Sequence, residues 1–410
     1  MDTKPSLSVS NSERIRSIDV LRGFALLGIL IINIQGFSMP WTAAESNPAS
    51  YGDLSGLNYF TWLLTYLFAN MKMMNLFSML FGASLVLLAT RLEEKGFNPL
   101  WIYYRRIFIL LCIGLVHAYL LWDGDILVVY AFCGFVLIWF RRLSAQSLLF
   151  LGFAVFLAEI GFKIPQAFEV AQMAPSDYAH WAEENWYQTT YVQEAVNAYR
   201  KGFIDHLSFR VTETFSWHLH QLILGFYWLR PLGMMLMGMG LYKLDLFHAT
   251  WSYRTYGLMI GWGFFIGLFL TGIGAGWIVA SDWDAFIGNF IAKPLLYLGS
   301  LGISCGWIGV IMVLCKRAWF PLLRHALASV GQMALSNYLL QTIICTTLFY
   351  GHGFSLYGSV SRVQQVGFLL CIWLVQLVIS PLWLLRFRFG PVEWLWRCGT
   401  YRRWMPLGRV

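Results

Sequence analysis

The chain has 410 residues, of which 58% are apolar and only 12% charged, with a formal net charge of +8. A soluble chain carries about 25% charged residues, so this one cannot coat a soluble globule, and so much apolar and aromatic side chain excludes disorder. Apolar runs recur from residue 20 to residue 385, many near the ~20 residues that cross a bilayer, so the expected fold is all-α, a polytopic helical membrane protein.

Taken in chain order, ten spans are expected, at roughly 18–39, 60–89, 105–122, 126–140, 146–162, 217–242, 255–279, 294–315, 327–350 and 364–385. The first follows Arg14 and Arg16, and Thr42-Ala43-Ala44 loosely resembles a cleavage site. The run is nevertheless long enough to span and reads as a retained helix. The second is too long for one straight crossing, and Lys72 within it suggests a break. Residues 163–216 look soluble, with Glu183, Glu184, Glu194 and Asp205 among Trp181, Trp186 and Tyr187. Short helices are expected there, lying over the outer mouth as a cover, or as a lid or acceptor-binding surface. In the sixth span Arg230-Pro231 marks a kink with a buried cation. Small residues four apart, at Gly263/Gly267, Gly272/Gly276 and Gly302/Gly306, read as close helix packing.

The basic residues orient these spans. Twenty of the 29 Lys and Arg residues fall on one side of the alternation, which makes that side cytoplasmic and puts both termini there. The resulting layout is a tail over 1–17, five helices over 18–162, an extracytoplasmic helical loop over 163–216, five helices over 217–385, and a basic tail over 386–410. Positive charge so placed faces anionic lipid; the bilayer is the expected partner and nucleic acid is not. Seven cysteines include no CxxC pair, so neither a disulfide framework nor a zinc site is indicated, and no metal is expected.

Ionisable groups inside spans cost roughly 2.5–3.5 kcal/mol each on insertion scales, which makes them candidate site residues. Asp19 and Arg22 lie three apart on one helical face and can pair, as a site or as a structural ion pair. Asn33 and Gln35 follow near the outer end of the same helix. Lys72 can snorkel, pair with an aspartate or bind an anion. His117 precedes the turn Trp122-Asp123-Gly124-Asp125 by about a turn and a half. The turn can fold a carboxylate back to orient the imidazole as a base; the plainer alternative has both aspartates capping the next helix. Asp125 is the expected partner, because Gly124 lets the chain reverse, and Asp123 then faces outer water. His218 and His220 are two apart, poor spacing for a metal.

Five stretches carry a family resemblance: Arg16 to Leu30 with Asn33 following; Leu76 to Gly82; His117 to Leu127; Gly331 to Gln341; and Gly390 to Arg397. Together they resemble the YeiB-like bacterial inner-membrane proteins, long of unknown function. That family is grouped with transmembrane acyltransferases such as the lysosomal heparan-α-glucosaminide N-acetyltransferase. The last two stretches add Asn337, Gln341 and Glu393 as polar residues at membrane depth. The resemblance implies a multi-pass protein of the bacterial inner membrane, with acyl-CoA or acetyl-CoA as donor and a glycan or small molecule as acceptor. In the lysosomal enzyme a histidine lies in the loop after the first helix. The corresponding segment here, Asn47-Pro48-Ala49-Ser50-Tyr51-Gly52, has none, so that role is not carried over. Asn33 matches an asparagine of that enzyme's first helix.

Three functions compete. An acyltransferase would clamp CoA phosphates with Arg105, Arg106, Arg141 and Arg142, which positive-inside topology alone also explains. His117 would take the acceptor's proton, Asp125 or Asp123 would orient it, and Asn33 would stabilise the oxyanion. A transporter would line a path with Lys72, Asp19, Arg22 and His117, yet no inverted repeat stands out. A scaffold without turnover, alone or as a homodimer, is the third.

Overall fold

A computed structural model describes residues 15–409. Lys4, Arg14 and nearly all of the tail expected over 1–17 lie outside the described residues. Within them every named element is helical: α1 (Arg16–Ser38), α2 (Gly56–Phe68), α3 (Lys72–Glu94), α4 (Pro99–Val116), α5 (Leu127–Leu137), α6 (Ala145–Ala171), α7 (Pro175–Ala182), α8 (Thr189–Tyr199), α9 (Phe203–Trp217), α10 (Leu229–Lys243), α11 (Tyr253–Ala280), α12 (Ala285–Ile287), α13 (Lys293–Lys316), α14 (Pro321–Gln332), α15 (Ala334–Phe349), α16 (Arg362–Arg386) and α17 (Pro391–Tyr401). The chain is a polytopic helical membrane protein.

Seven of the described helices are long and apolar enough to cross a membrane, or eight if a pair bent by 61° counts as one span. That is fewer than the ten expected. α5 has only 11 residues before it tightens into a 3₁₀ turn, and at 1.5 Å per residue it rises about 16 Å, half a bilayer core. α15, with 16 residues, is also short. Both are apolar because they are buried among other helices, and composition does not separate that from exposure to lipid. The expected segment 163–216 holds the end of α6, which continues to Ala171, then α7, α8 and α9, the last running on into a wider-wound turn at His218–Leu224.

The breaks have local causes. Met71 stands at φ 65° between α2 and α3, and the buried Lys72 Nζ donates to the Tyr66 carbonyl at 2.6 Å. Lys72 thus satisfies the end of α2, and it neither snorkels nor pairs with a carboxylate among the described residues. The bend in the sixth expected span falls at residues 225–228, with Phe226 at φ 56°. Pro231 sits in the first turn of α10, where its missing N–H costs nothing, so it does not make the kink.

α1 lies inside the bundle, against α3, α14, α15 and α16. Glycines permit the closest crossings. A Cβ on Gly23 or Gly331 would overlap backbone across the α1–α14 contact, and one on Gly82 or Gly238 would overlap the Met235 or Met79 carbonyl between α3 and α10. Gly263 and Gly267 meet Gly302, Gly306 and Gly299 between α11 and α13, as the spacing predicts. Gly272 and Gly276 have nothing within 4 Å, so this pair packs against no helix within the described chain.

Contacts tie the arginine-rich helix ends together: Lys243 reaches the Arg141 and Leu143 carbonyls at 2.7 Å each, and Arg105 the Thr400 carbonyl at 2.8 Å. At the far end Trp41 meets Asp123, Thr42 meets Gln188, Arg200 meets the Tyr357 carbonyl, and Trp186 meets the Trp283 carbonyl.

Candidate functional site

At the end of α4 the backbone widens into a π-turn over His117–Leu121, closed by Trp122 N–H donating to the His117 carbonyl at 2.8 Å. Such turns re-aim side chains and occur often at functional sites. Here the turn sends His117 inward, 1% exposed, and the chain reverses at Gly124. The His117 Nδ1 lies 2.6 Å from Asp125 Oδ2, and Nε2 lies 2.9 Å from Thr342 Oγ1 on α15. The other Asp125 oxygen accepts from Val128 N–H at 2.7 Å, in the first turn of α5. Orientation and capping, the two alternatives for this aspartate, are therefore met by one side chain with two oxygens. A carboxylate only accepts, so Nδ1 donates to Asp125; the Thr342 hydroxyl that meets Nε2 also lies 3.4 Å from the Tyr338 main-chain carbonyl, to which it donates. The Tyr338 ring, 5.0 Å from the imidazole, closes one side.

Asp123 does not face outer water. Its Oδ2 accepts from Trp41 Nε1 at 2.7 Å and its Oδ1 is buried without a partner. Burial raises this carboxyl above the ordinary aspartate value, against the opposing effects of Trp41, Tyr199 and Arg210. Asn33 is half-buried within α1, and its side-chain amide makes no hydrogen bond to His117 or to another group among the described residues.

At the opposite end the four arginines expected to act together divide. Arg141 pairs with Glu93 at 3.4 Å and Arg142 is exposed. Arg106 instead stacks on Trp396 of α17, 3.7 Å from the ring centre, while Arg397 stacks on Phe389 at 4.5 Å. Arg22 lies close enough for its charge to act on both, and it pairs with Asp19 at 3.1 Å, the i,i+3 contact that the spacing predicts. Among the described residues no carboxylate pairs with Arg106 or Arg397. Burial pulls the Arg397 guanidinium below its ordinary value and Arg22 adds to this, while Tyr401, Glu393 and Asp19 oppose it.

The remaining intramembrane polar residues join helices. Asn337 bonds Ser380 at 3.0 Å and its carbonyl accepts from Gln376, which also accepts from Gln341 at 2.9 Å, linking α15 to α16. Glu393 caps α15 from another helix: it accepts from Leu335 N–H at 2.7 Å, Ser336 N–H at 3.1 Å and the Ser336 hydroxyl. Glu393→Ala is expected to cost roughly 3 kcal/mol by orphaning these donors, and Glu393→Gln about half as much, read as the fall in thermal midpoint of purified protein. Midpoints equal to wild type in both variants would remove the capping role.

A family described as "Protein of unknown function (DUF418)" matches residues 241–403. Over 412 residues the chain is 32% identical to "Uncharacterized protein YxaH" of Bacillus subtilis (strain 168), covering 97% of each chain. It is also 32% identical to "Uncharacterized protein YeiB" of Escherichia coli (strain K12), over 95% of this chain and 97% of that one. The chain belongs to the YeiB-like family. A third relative, the "Uncharacterized 39.9 kDa protein in amylase 3'region" of Bacillus acidopullulyticus, is 26% identical over 97% of both.

Several groups of this YeiB-like chain escaped the sequence. Thr342 is one more threonine in an apolar run until α15 lays it on His117. Arg397 belongs to a basic tail until α17 folds back on α4. Arg230, a cation whose partner the spacing does not name, donates to Tyr227 at 3.1 Å and Met74 at 3.2 Å, with Glu159 and Glu45 near it. Arg210 looks like a soluble-loop residue, yet it is 0% exposed and donates to the Tyr119 and Leu121 carbonyls of the π-turn.

Proposed function

We propose that the chain is a transmembrane acyltransferase of the bacterial inner membrane, with both termini cytoplasmic, passing an acyl group, acetyl in the simplest case, from cytoplasmic acyl-CoA to a hydroxyl or amine acceptor at the outer face. The observation that carries this reading is the imidazole of His117 held between a carboxylate and a hydroxyl, at 2.6 Å and 2.9 Å, inside an apolar bundle. An orienter, a base and a hydroxyl in that order form the constellation that activates a nucleophile. Thr342 Oγ1 stands where the acceptor hydroxyl would sit. His117 Nε2 takes the acceptor's proton as the oxygen or nitrogen attacks the thioester carbonyl. The C–S bond then breaks, and the imidazolium returns the proton to CoA, which leaves as the thiol. Asn33, whose amide is uncommitted, is the candidate oxyanion donor.

Arg22, Arg106 and Arg397 supply the phosphate-binding end in this reading, with Arg105 beside them. Two guanidiniums held flat on aromatic rings and unpaired with carboxylates suit phosphate oxygens. Arg106→Gln and Arg397→Gln are expected to raise the KM for acyl-CoA about tenfold each, near 1.4 kcal/mol, with kcat little changed and the exposed Arg142→Gln silent. Equal KM values across all three variants would exclude the assignment. The test of the function itself supplies labelled acetyl-CoA to the cytoplasmic face of inverted membrane vesicles, which retain the native acceptor. Label should appear on a lumenal product with wild type and not with His117→Ala; label that stays on CoA with wild type refutes the reading.

A further inference from the structure

Three loops at the far end enclose a crevice of about 290 Å³, none of whose lining residues belongs to the His117 site. Asn47 and Ser50 after α1, Tyr187 and Thr189 around the start of α8, and Asp282 and Trp283 after α11 form its walls. Its polar groups are left open. Asn47 is only 3% exposed, and its side-chain carbonyl accepts from Ala49 N–H at 3.1 Å, yet its amide N–H₂ finds no acceptor among the described residues. Ser50 Oγ is buried with no partner among them. Two neighbouring carboxylates are committed: Asp284 accepts from Tyr178 OH at 2.8 Å and Ile287 N–H at 2.9 Å, and Glu183 accepts from Thr189 N–H at 2.7 Å. The start of a helix favours an anion, and Glu183 already fills that place at α8. Asp282 is exposed on the crevice wall, with no hydrogen-bond or ion-pair partner among the described residues. Asp282 and Trp283 stand at φ 51° and 63°, a left-handed backbone that residues with a Cβ adopt only at a cost. The Trp186 indole, donating to the Trp283 carbonyl at 2.7 Å, and Trp283 N–H, donating to the Ile278 carbonyl at 2.9 Å, hold them there. The charges of Asp284, Asp282 and Glu183 all act on Tyr187, and no lysine or arginine lines the crevice.

We propose that this crevice binds a small methylated ammonium ion that carries a hydroxyl group. The uncommitted Asp282 carboxylate faces the positive nitrogen, and the rings of Tyr187 and Trp283 offer it their π faces. The Asn47 amide donates to the ligand hydroxyl, and Ser50 Oγ accepts from it. A primary ammonium has three N–H donors to satisfy, and the walls present one free carboxylate and two rings, which suits a nitrogen without N–H. A hard metal ion needs several oxygen ligands, and no group of three metal-binding side chains occurs among the described residues. An anion would meet the wrong sign of charge, and a neutral solute would make no use of Asp282. The site does not rest on the acyl-transfer reading, since a quaternary nitrogen has no lone pair to acylate. The same cation can arrive as a free solute or as a lipid headgroup.

The full chain in phosphatidylglycerol nanodiscs, which hold no choline, is titrated with radiolabelled choline at fixed ionic strength. Saturable binding is expected, displaced by unlabelled choline, less well by tetramethylammonium, which lacks the hydroxyl, and not by the neutral isostere 3,3-dimethyl-1-butanol. Asp282→Asn keeps a side chain that tolerates the left-handed backbone and should weaken binding about tenfold. Tyr187→Leu should weaken it about two- to fivefold, with folding of both variants checked by thermal midpoint. The proposal is overturned by a lack of saturable binding, by displacement with the neutral alcohol as good as with choline, or by wild-type affinity in Asp282→Asn. Ethanolamine displacing the label as well as choline does would overturn the methylated-ammonium assignment. Repeating the titration in phosphatidylcholine nanodiscs separates the sources: loss of label binding there identifies a lipid headgroup as the ligand, and retention identifies a free solute.

Discussion

Replacing His117 with alanine is expected to lower acyl transfer by about 10²- to 10⁴-fold, the usual contribution of a general base, while the protein remains folded. Asp125→Asn should do the same for a different reason. The asparagine oxygen can still accept from Val128 N–H, now at 2.7 Å from the carboxylate. Its amide then faces His117 Nδ1, where the carboxylate oxygen stands at 2.6 Å. An amide donor there forces the proton onto Nε2 and leaves no lone pair for the acceptor. Asp123→Asn, by contrast, keeps an oxygen for the Trp41 indole and should retain turnover within a few fold. Initial rates of label transfer in the vesicle assay, with thermal midpoints measured alongside, decide the matter. Full activity in His117→Ala removes the base. Loss in Asp123→Asn with retention in Asp125→Asn would move the orienting role to the other carboxylate.

Valine at Gly82 or Gly331 is expected to abolish assembly of the bundle. A Cβ at either position would fall inside a backbone carbonyl of the facing helix, Met235 for Gly82 and Asp19 for Gly331. Backbone cannot rotate aside as a side chain can, so the helices must separate. Overpacking that a core absorbs costs about 1–3 kcal/mol; separating α3 from α10 also loses the reciprocal Gly238–Met79 contact and the close packing on which membrane helices depend. Gly272→Val and Gly276→Val are the controls, since both positions are open. Size-exclusion profiles of fluorescently tagged variants should show a monodisperse peak for the controls and aggregate for the other two. A wild-type profile and midpoint for Gly82→Val would mean that α3 and α10 do not approach so closely.

Legibility followed the range of the interaction. Asp19 and Arg22 pair as their spacing predicts because both sit on one helix, where geometry is set by three residues of sequence. The reversal at Gly124 that puts Asp125 on His117 is similarly local, eight residues from end to end. Lys72 was ambiguous because its acceptor is a carbonyl, which every residue carries and no sequence distinguishes. The four arginines of the expected cytoplasmic side are hard to tell apart for a related reason. Positive charge is expected to collect on that side whatever each residue touches, so the sequence does not tell Arg106, stacked on Trp396, from the exposed Arg142.

Composition and periodicity alone determined that this chain is an all-helical, polytopic membrane protein, because hydrogen-bonded helices are the cheapest way to carry a long apolar backbone through a bilayer. They also marked His117 and its neighbouring carboxylates, because a titratable group in an apolar run is costly wherever it sits. Only the tertiary structure decided which apolar runs lie among other helices, since a helix buried in protein and one facing lipid need the same residues. It alone brought Thr342 to the imidazole across 225 residues and Arg397 to Arg106. Those meetings depend on which helix faces pack together, and packing is set by shape complementarity between segments far apart in the chain.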